Sequence, residues 1–355
     1  MDPLRKKILI VDDTDSNIDM LIAVLGDQYD LCAAVDGESA LQALRTGELP
    51  DLVLLDIMMP GMDGYEVCRR IKSHQEHRGI KVIFLTSLVH SSEQEKGLNL
   101  GADDYIVKPF DPAIVRARVK TQLELKNYQD HLEDLVQSRT EALAHAQEAT
   151  IASMAIMAEY RDPETGGHIQ RTKSYVKELA TTLAAQMPEM ITPHYISLLH
   201  QAAPLHDIGK VAISDAILLK PGRFTSQEFK TMEKHTLYGS EAIRRTATLY
   251  GHNELLKVAA EIAEFHHEKW NGTGYPHGLS GKAIPLAARL MTVADVYDAL
   301  ISERPYKEAL SHDQAVATIM EGDGYTSPEH FDPHVLACFT QIHQQFHNIA
   351  VEFKD

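Results

Sequence analysis

The sequence predicts two domains of different fold class joined by a long helix: a doubly wound α/β domain with a five-stranded parallel sheet, then an all-α domain. Three observations predict this arrangement. Up to about residue 122, short apolar segments alternate with amphipathic helical segments. From about 113 to 158 the chain has neither glycine nor proline, and beyond 151 the pattern stays helical. A length of 355 residues suits two domains.

The first domain is predicted over residues 1–122, with its five strands at the short apolar segments. These segments are Ile8–Val11, Leu31–Ala34, Leu52–Leu55, Val82–Leu85 and Tyr105–Val107. Because each is continuously apolar, both faces of the sheet should be buried. This is typical of a parallel sheet covered by helices on either side.

Reactive side chains follow four of these strands. Asp12 and Asp13 follow the first, Asp56 the third, Thr86 the fourth and Lys108 the fifth. The carboxyl ends of strands in a doubly wound fold gather at one edge, and Mg²⁺ prefers carboxylate and phosphate oxygens. A magnesium pocket is therefore predicted at this edge. The alternative is a cluster of carboxylates that only cap helices.

The same segment resembles the receiver domain of two-component response regulators. The motifs that carry the resemblance are the acidic pair at 12–13, LLDIMMPGMDG around Asp56, LTS at 85–87 and KPF at 108–110. The resemblance implies that Asp56 accepts a phosphoryl group from a cognate sensor histidine kinase, and that Asp12 and Asp13 hold Mg²⁺ with it. It implies a cis bond before Pro109. It also implies a switch group composed of Thr86, Tyr105 and Lys108.

The helix between the domains is predicted to form a coiled coil over residues 113–150. Eight residues follow the alternating spacing of three and four that marks a coiled-coil seam. They are Leu125, Tyr128, Leu132, Leu135, Arg139, Ala142, Ala146 and Ala149. Such a seam needs a partner, so a homodimer through this helix is expected; the alternative is a helix packed on its own domain. No helix-turn-helix or basic arm follows, which disfavours a transcriptional output.

Histidine is concentrated in the second part of the chain, where 14 of the 19 histidines lie at or after His168. This part contains, in order, LHDIGK (205–210), His235, FHHE (265–268), WNGTGYP (270–276) and AD (294–295). Neutral histidine and ionised aspartate are usual ligands of first-row cations, so a metal site is predicted. The adjacent His206 and Asp207 suit a dinuclear centre with a bridging carboxylate. Capping and core histidines are the alternative, but so many buried imidazoles would each need hydrogen-bond partners.

HDIGK, the HH pair and NGTGYP, in this order, resemble the HD-GYP family of metal-dependent phosphohydrolases that cleave cyclic di-GMP. The domain is predicted over 151–355, with ETGGH at 164–168 and ERPYK at 303–307 as further matching motifs. The resemblance implies that Asp207 bridges two metals and that Glu164 and His168 go with a third. The implied ligands of the two metals are His206, Asp207, His235, His266, His267 and Asp295.

The resemblance also implies a mechanism and a substrate site. A metal-bridged hydroxide would attack phosphorus with Asp207 as the bridge, and Lys210, one helical turn past His206, would neutralise the developing charge. Arg304 and Lys307 would grip the substrate phosphates, while Tyr275 would shape the pocket. The alternative for the two cations of the RPYK motif is that they lie at the surface of a helix start.

The predicted function is therefore a phosphorylation-regulated phosphodiesterase that hydrolyses cyclic di-GMP to pGpG, with onward hydrolysis to GMP left open. Two or three divalent transition-metal ions are expected, with iron or manganese favoured. One alternative is a catalytically weak cyclic dinucleotide receptor that signals through protein partners. Another is a hydrolase of a different cyclic dinucleotide.

Composition restricts the remaining partners. Thirty-four basic residues against 51 acidic ones give a net charge of −17, which argues against nucleic acid or an anionic membrane as a partner. No apolar run approaches the ~20 residues of a membrane span, and the N-terminus does not resemble a signal peptide. A cytoplasmic, bacterial protein is expected.

Overall fold

The computed structural model describes residues 5–87, 97, 99–159, 166–251, 253–303 and 308–354. The chain divides into two compact units, Met1–Glu141 and Ala142–Asp355. Among the described helices, none combines the length and apolarity needed to cross a membrane.

The first unit contains a five-stranded parallel sheet in the order β2-β1-β3-β4-β5, which confirms the predicted fold class. Each predicted strand is present and extends by one residue at one or both ends. The strands are β1 (Lys7–Val11), β2 (Asp30–Ala34), β3 (Leu52–Asp56), β4 (Lys81–Thr86) and β5 (Asp104–Val107).

Helices cover both faces of this sheet. They are α1 (Asp15–Leu25), α2 (Gly37–Thr46), α3 (Gly64–Ser73) and the first turns of α4 (Pro112–Glu159). Successive strand residues point to opposite faces, so Leu9 packs with residues of α2 and α3. Ile8 packs on the other face, with residues of α1 and α4. The two cores hold the carboxyl ends of the strands in fixed register at one edge.

The helix α4 has 48 residues and confirms the long helix predicted between the domains. All eight predicted seam residues, from Leu125 to Ala149, are exposed in the single chain. Their exposure gives no support to a helix packed on its own domain. The coiled coil itself stays a prediction.

The second unit is helical, as predicted. Its α-helices are α5 (Gly166–Ala184), α6 (Pro193–Ala202), α7 (Asp215–Leu218), α8 (Ser226–Met232), α9 (Lys234–Tyr250), α10 (Glu254–Phe265), α11 (Leu286–Ile301), α12 (His312–Glu321) and α13 (Pro333–Glu352). Short 3₁₀ turns lie at Ala203–Leu205, Ile208–Ala212, Gly281–Ala283 and Pro328–His330. The core joins α5, α11 and α13 through aromatic rings: Tyr175 stacks on Phe346 at 4.3 Å between centroids, and Tyr297 lies edge to face with both.

Candidate functional site

The acidic residues at the sheet edge of the first unit lie together. Oxygen atoms of Asp12, Asp13 and Asp56 are within 4.8 Å of one another. The ammonium of Lys108 donates to Asp12 Oδ2 at 2.8 Å and lies 2.9 Å from Asp56 Oδ2. Burial raises the pKa of Asp56 despite this cation. The pKa of Lys108 is also raised, because its two carboxylate partners outweigh its burial.

The predicted switch residues lie near this pocket. Thr86 is buried at the end of β4, and Tyr105 lies on the neighbouring β5. The guanidinium of Arg118 lies 5.1 Å from the centre of the Tyr105 ring. The Lys108–Pro109 peptide bond is cis, as the resemblance implied.

In the second unit, His206 and Asp207 lie in a tight turn between two 3₁₀ helices. Lys210, predicted one helical turn past His206, lies in the 3₁₀ helix Ile208–Ala212. Gly209 packs closely on α9, because a Cβ atom there would overlap the carbonyl oxygen of His235 and approach Gly239 N to 2.5 Å. This close contact brings the Asp207 turn against α9.

One group of candidate ligands forms where this turn, α9 and the end of α10 meet. It consists of Asp207, His235, His266 and His267, whose ligand atoms lie within 4.8 Å of one another. Asp207 Oδ1 is 3.2 Å from His235 Nε2 and 3.5 Å from His266 Nε2. These three atoms are buried, and in the described structure none has a hydrogen-bond partner. Buried polar atoms that converge without hydrogen bonds fit a cation between them.

The ring orientations fit the same interpretation. Nδ1 of His206 donates to the Ala203 carbonyl at 3.0 Å, and Nδ1 of His235 donates to Met232 at 2.7 Å. Nδ1 of His266 donates to Ile262 at 3.0 Å. A proton on Nδ1 leaves the Nε2 lone pair directed into the site, which is the tautomer a metal requires.

A second group adjoins the first and consists of His168, His206 and Asp295. Nε2 of His168 and Nε2 of His206 are 3.4 Å apart. The Nδ1 atom of His168 lies 2.8 Å from Asp298 Oδ2, so its proton points to that carboxylate and both Nε2 atoms present lone pairs. Two facing lone pairs repel unless a cation lies between them. His168 adjoins His206 here, and its implied association with a third metal stays a prediction.

Asp207 lies between the two groups. Its Oδ1 faces the first group, and its Oδ2 lies 3.4 Å from His206 Nε2. Burial opposes the charge of Asp207, yet the nearby Lys210 ammonium holds its pKa well below the usual range. Burial, reinforced by His266 and His235, lowers the pKa of His267 well below normal. An ionised carboxylate beside a neutral imidazole is the pairing that binds a divalent cation.

The rim of the site contains Lys210 and an aromatic pair. Lys210 Nζ lies 2.7 Å from Asp207 Oδ2. The ring of Tyr275 lies 4.7 Å from His267 and 6.0 Å, edge to face, from Phe229 of α8. Burial raises the pKa of Tyr275, so it keeps its proton. Three predicted site residues, Glu164, Arg304 and Lys307, lie outside the described residues.

Sequence reasoning missed the residues that support His168. Asp298 is only 1% exposed, and its carboxylate accepts from Arg171 Nε at 2.7 Å and Nη2 at 2.9 Å. Arg171 Nη1 in turn donates to the carbonyl of Phe353 at 3.0 Å. The available signal was an aspartate three residues after Asp295 in an apolar helix, where an unpaired carboxylate would be costly.

Comparisons with known proteins agree with the division of the chain into two units. A model of the response regulator receiver domain matches residues 8–120, and a model of the HD domain matches residues 130–335. A probable cyclic di-GMP phosphodiesterase of Vibrio cholerae serotype O1 is 46% identical over 358 residues, covering 98% of this chain and 80% of the relative. The cyclic di-GMP phosphodiesterase response regulator RpfG of Xanthomonas campestris is 35% identical, covering 99% of this chain and 91% of the relative. A 3'3'-cGAMP-specific phosphodiesterase of Vibrio cholerae is 37% identical, covering 58% of this chain and 36% of the relative.

Proposed function

Because this chain belongs to the family of response regulators that combine a receiver domain with an HD domain, we propose that it is a phosphorylation-controlled cyclic di-GMP phosphodiesterase with pGpG as its first product. Two relatives that align with nearly the whole chain are named cyclic di-GMP phosphodiesterases. The proposal extends their activity to this chain and adds control by phosphorylation.

The observation that carries the proposal is the position of Asp207 between two groups of candidate ligands. One carboxylate oxygen faces the His235 and His266 nitrogens, and the other faces His206. The convergent atoms without hydrogen bonds are best explained by cations. Asp207 would be shared by two divalent ions: His168, His206 and Asp295 would hold one with it, and His235, His266 and His267 would hold the other.

The chain's own residues would then bind and orient the substrate. Ions held in the two groups would acidify a water molecule and supply the nucleophile that attacks phosphorus. Lys210 lies close enough to Asp207 to reach a phosphoryl oxygen beside it and to stabilise charge that develops there. Tyr275, a neutral hydrogen-bond donor beside His267, would orient the substrate at the rim. Arg304 and Lys307 stay proposed phosphate contacts.

The receiver half of the proposal rests on the Asp56 pocket. Asp12, Asp13 and Asp56 would hold Mg²⁺, because their oxygens lie within 4.8 Å of one another and Mg²⁺ prefers carboxylate and phosphate oxygens. Lys108 already contacts Asp56 and would keep this contact with the phosphoryl oxygens. A sensor histidine kinase would supply the phosphoryl group.

The test is hydrolysis of cyclic di-GMP by the purified full chain, followed by chromatography, together with elemental analysis. Asp207→Ala removes the carboxylate shared by both groups. We expect hydrolysis to fall below detection and bound transition metal to decrease, while phosphorylation of Asp56 is retained. Wild-type turnover and metal content in this variant would contradict the bridging role. A wild-type chain that binds cyclic di-GMP without cleaving it would favour the receptor alternative.

A second candidate substrate is 3'3'-cGAMP, because a relative specific for it shares 37% identity over 205 residues. The two cyclic dinucleotides differ in one base, so the metal groups cannot distinguish them. Comparing kcat/KM for the two under identical metal loading decides between them. A higher value for 3'3'-cGAMP would replace cyclic di-GMP as the substrate.

A further inference from the structure

The loop of residues 271–280 carries Tyr275 to the rim of the site. Its two ends pair through an isolated antiparallel bridge between Asn271 and Ser280. Its middle folds back on the end of α10, where Tyr275 N donates to the His267 carbonyl at 3.2 Å. At Gly274 a Cβ atom would lie 2.5 Å from that same carbonyl oxygen and 2.6 Å from Glu268 Cα. The loop therefore lies directly on the residues that bear the candidate ligands.

Glu268 holds this loop by hydrogen bonds to two of its backbone amides. Its side chain is buried, with 1% of the residue exposed. One carboxylate oxygen accepts from His277 N at 2.7 Å, and the other accepts from Leu279 N at 2.9 Å. Both amides belong to the second half of the loop, after Tyr275, which is called its far arm. A carboxylate this deeply buried is costly unless it is hydrogen-bonded, and these two charge-assisted bonds offset that cost.

A second buried glutamate, one helical turn earlier, holds the same arm by a side chain. Glu264 Oε1 accepts from His277 Nε2 at 2.9 Å, and Arg244 of α9 pairs with its other oxygen. The position of His277 is thus fixed by its backbone through Glu268 and by its ring through Glu264. With its ends paired and its far arm fixed, the loop has little freedom in where it presents Tyr275.

We propose that Glu268 is a positioning residue: it holds the 271–280 loop so that Tyr275 stands beside His267 and orients the substrate. This inference rests on the proposed phosphodiesterase function and assigns no chemistry to Glu268. The glutamate acts only through the loop. Consequently its loss should matter when Tyr275 is present and should not matter when Tyr275 has been removed.

Glu268→Gln tests this with the least change in volume. The amide keeps one acceptor and turns an NH₂ group toward one of the two backbone N–H donors. The matched control is Glu261→Gln, the same chemical change at a position within α10, where Glu261 lines a surface groove with Arg244 and Lys257. Amide hydrogen exchange of the full chain measures directly how well the hydrogen bonds of the loop are held. We expect the amides of His277 and Leu279 to exchange at least about 10-fold faster in Glu268→Gln, and at the wild-type rate in Glu261→Gln.

The catalytic consequence is read by a double-mutant cycle on cyclic di-GMP. Glu268→Gln should lower kcat/KM by roughly 10- to 100-fold, the scale of an ångström-level misplacement, with bound metal unchanged. In a Tyr275→Ala background the same substitution should cause no further loss. A general destabilisation would instead give the same loss in both backgrounds.

Three results would overturn the proposal: unchanged exchange at His277 and Leu279, equal loss in both backgrounds, or metal lost from Glu268→Gln. A wild-type chain that fails to hydrolyse cyclic di-GMP overturns the proposed function instead. In that case the exchange rates still decide whether Glu268 holds the loop.

Discussion

At the residue scale, Gly209 controls how closely the Asp207 turn approaches α9. Any side chain at this position would overlap the His235 carbonyl. Gly209→Ala should therefore lower the melting temperature, with a loss of about 1–3 kcal/mol in the free energy of unfolding, and should reduce metal binding. Calorimetry and elemental analysis measure both. The control is Gly79→Ala, where the nearest atom to an added Cβ is Lys126 Nζ at 4.0 Å; equal effects at the two glycines would contradict the argument.

Asp298 gives a second test at this scale. Its carboxylate receives donors from His168 and from both Arg171 Nε and Nη2, and an amide cannot accept them all. Asp298→Asn should let the His168 ring turn or change tautomer, weakening metal affinity about 10- to 100-fold. Metal titration of the full chain measures this. Asp313→Asn, an exposed position of α12, should bind metal normally, and a normal titration for Asp298→Asn would leave it a packing residue.

These residues also mark how much of the site the sequence could predict. Histidines and aspartates in the HD and HH motifs are chemically distinctive, so their convergence was predictable. Their partners were not, because Nδ1 of His206, His235 and His266 each bonds a main-chain carbonyl. Every residue has a main-chain carbonyl, so the amino-acid sequence does not show which carbonyl accepts a hydrogen bond from a histidine. Asp298 and Glu268 were missed because only the fold shows what surrounds them.

At the element scale, the exposed apolar residues of α4 predict an interface with a second copy. Leu132 is 57% exposed and Tyr128 71% exposed, and both lie on the predicted seam. Leu132→Glu would bury a charge in a paired seam, so the dimer should weaken by about 100-fold or more. Sedimentation of the full chain measures this. His131→Glu, the neighbouring position off the seam, should leave association unchanged; a wild-type chain that stays monomeric would contradict the coiled coil.

Element boundaries were predictable where one physical effect dominates. The inner strands β1, β3 and β4 follow from continuous apolar burial, whereas the edge strands β2 and β5 are only partly buried. The helix α4 follows from the absence of glycine and proline after Pro112. The close approach of the Asp207 turn to α9 was not predictable, because the two segments are distant in sequence. Local propensity cannot contain information about that contact.

At the scale of the whole molecule, the prediction concerns coupling between the two units. Phosphorylation of Asp56 adds about two negative charges beside Thr86 and Lys108, and new hydrogen bonds there would shift Tyr105. Beryllofluoride, a phosphoryl mimic, should change hydrolysis by roughly 5- to 150-fold at most, the usual range of a coupling free energy. Asp56→Ala should remove the response and keep basal hydrolysis. Equal rates with and without beryllofluoride in the wild-type chain would exclude this coupling.

The carbonyl partners of the site histidines have an evolutionary consequence. Ala203, Met232 and Ile262 orient three rings through main-chain oxygen atoms alone, so a substitution that fits the surrounding packing would not turn an imidazole. Tolerance of substitutions at these three positions would then say little about how much their carbonyl groups matter to the site. A designer who transplants this centre into another scaffold would have to reproduce backbone turns, because copying the histidines and aspartates without those carbonyls leaves the tautomers unspecified.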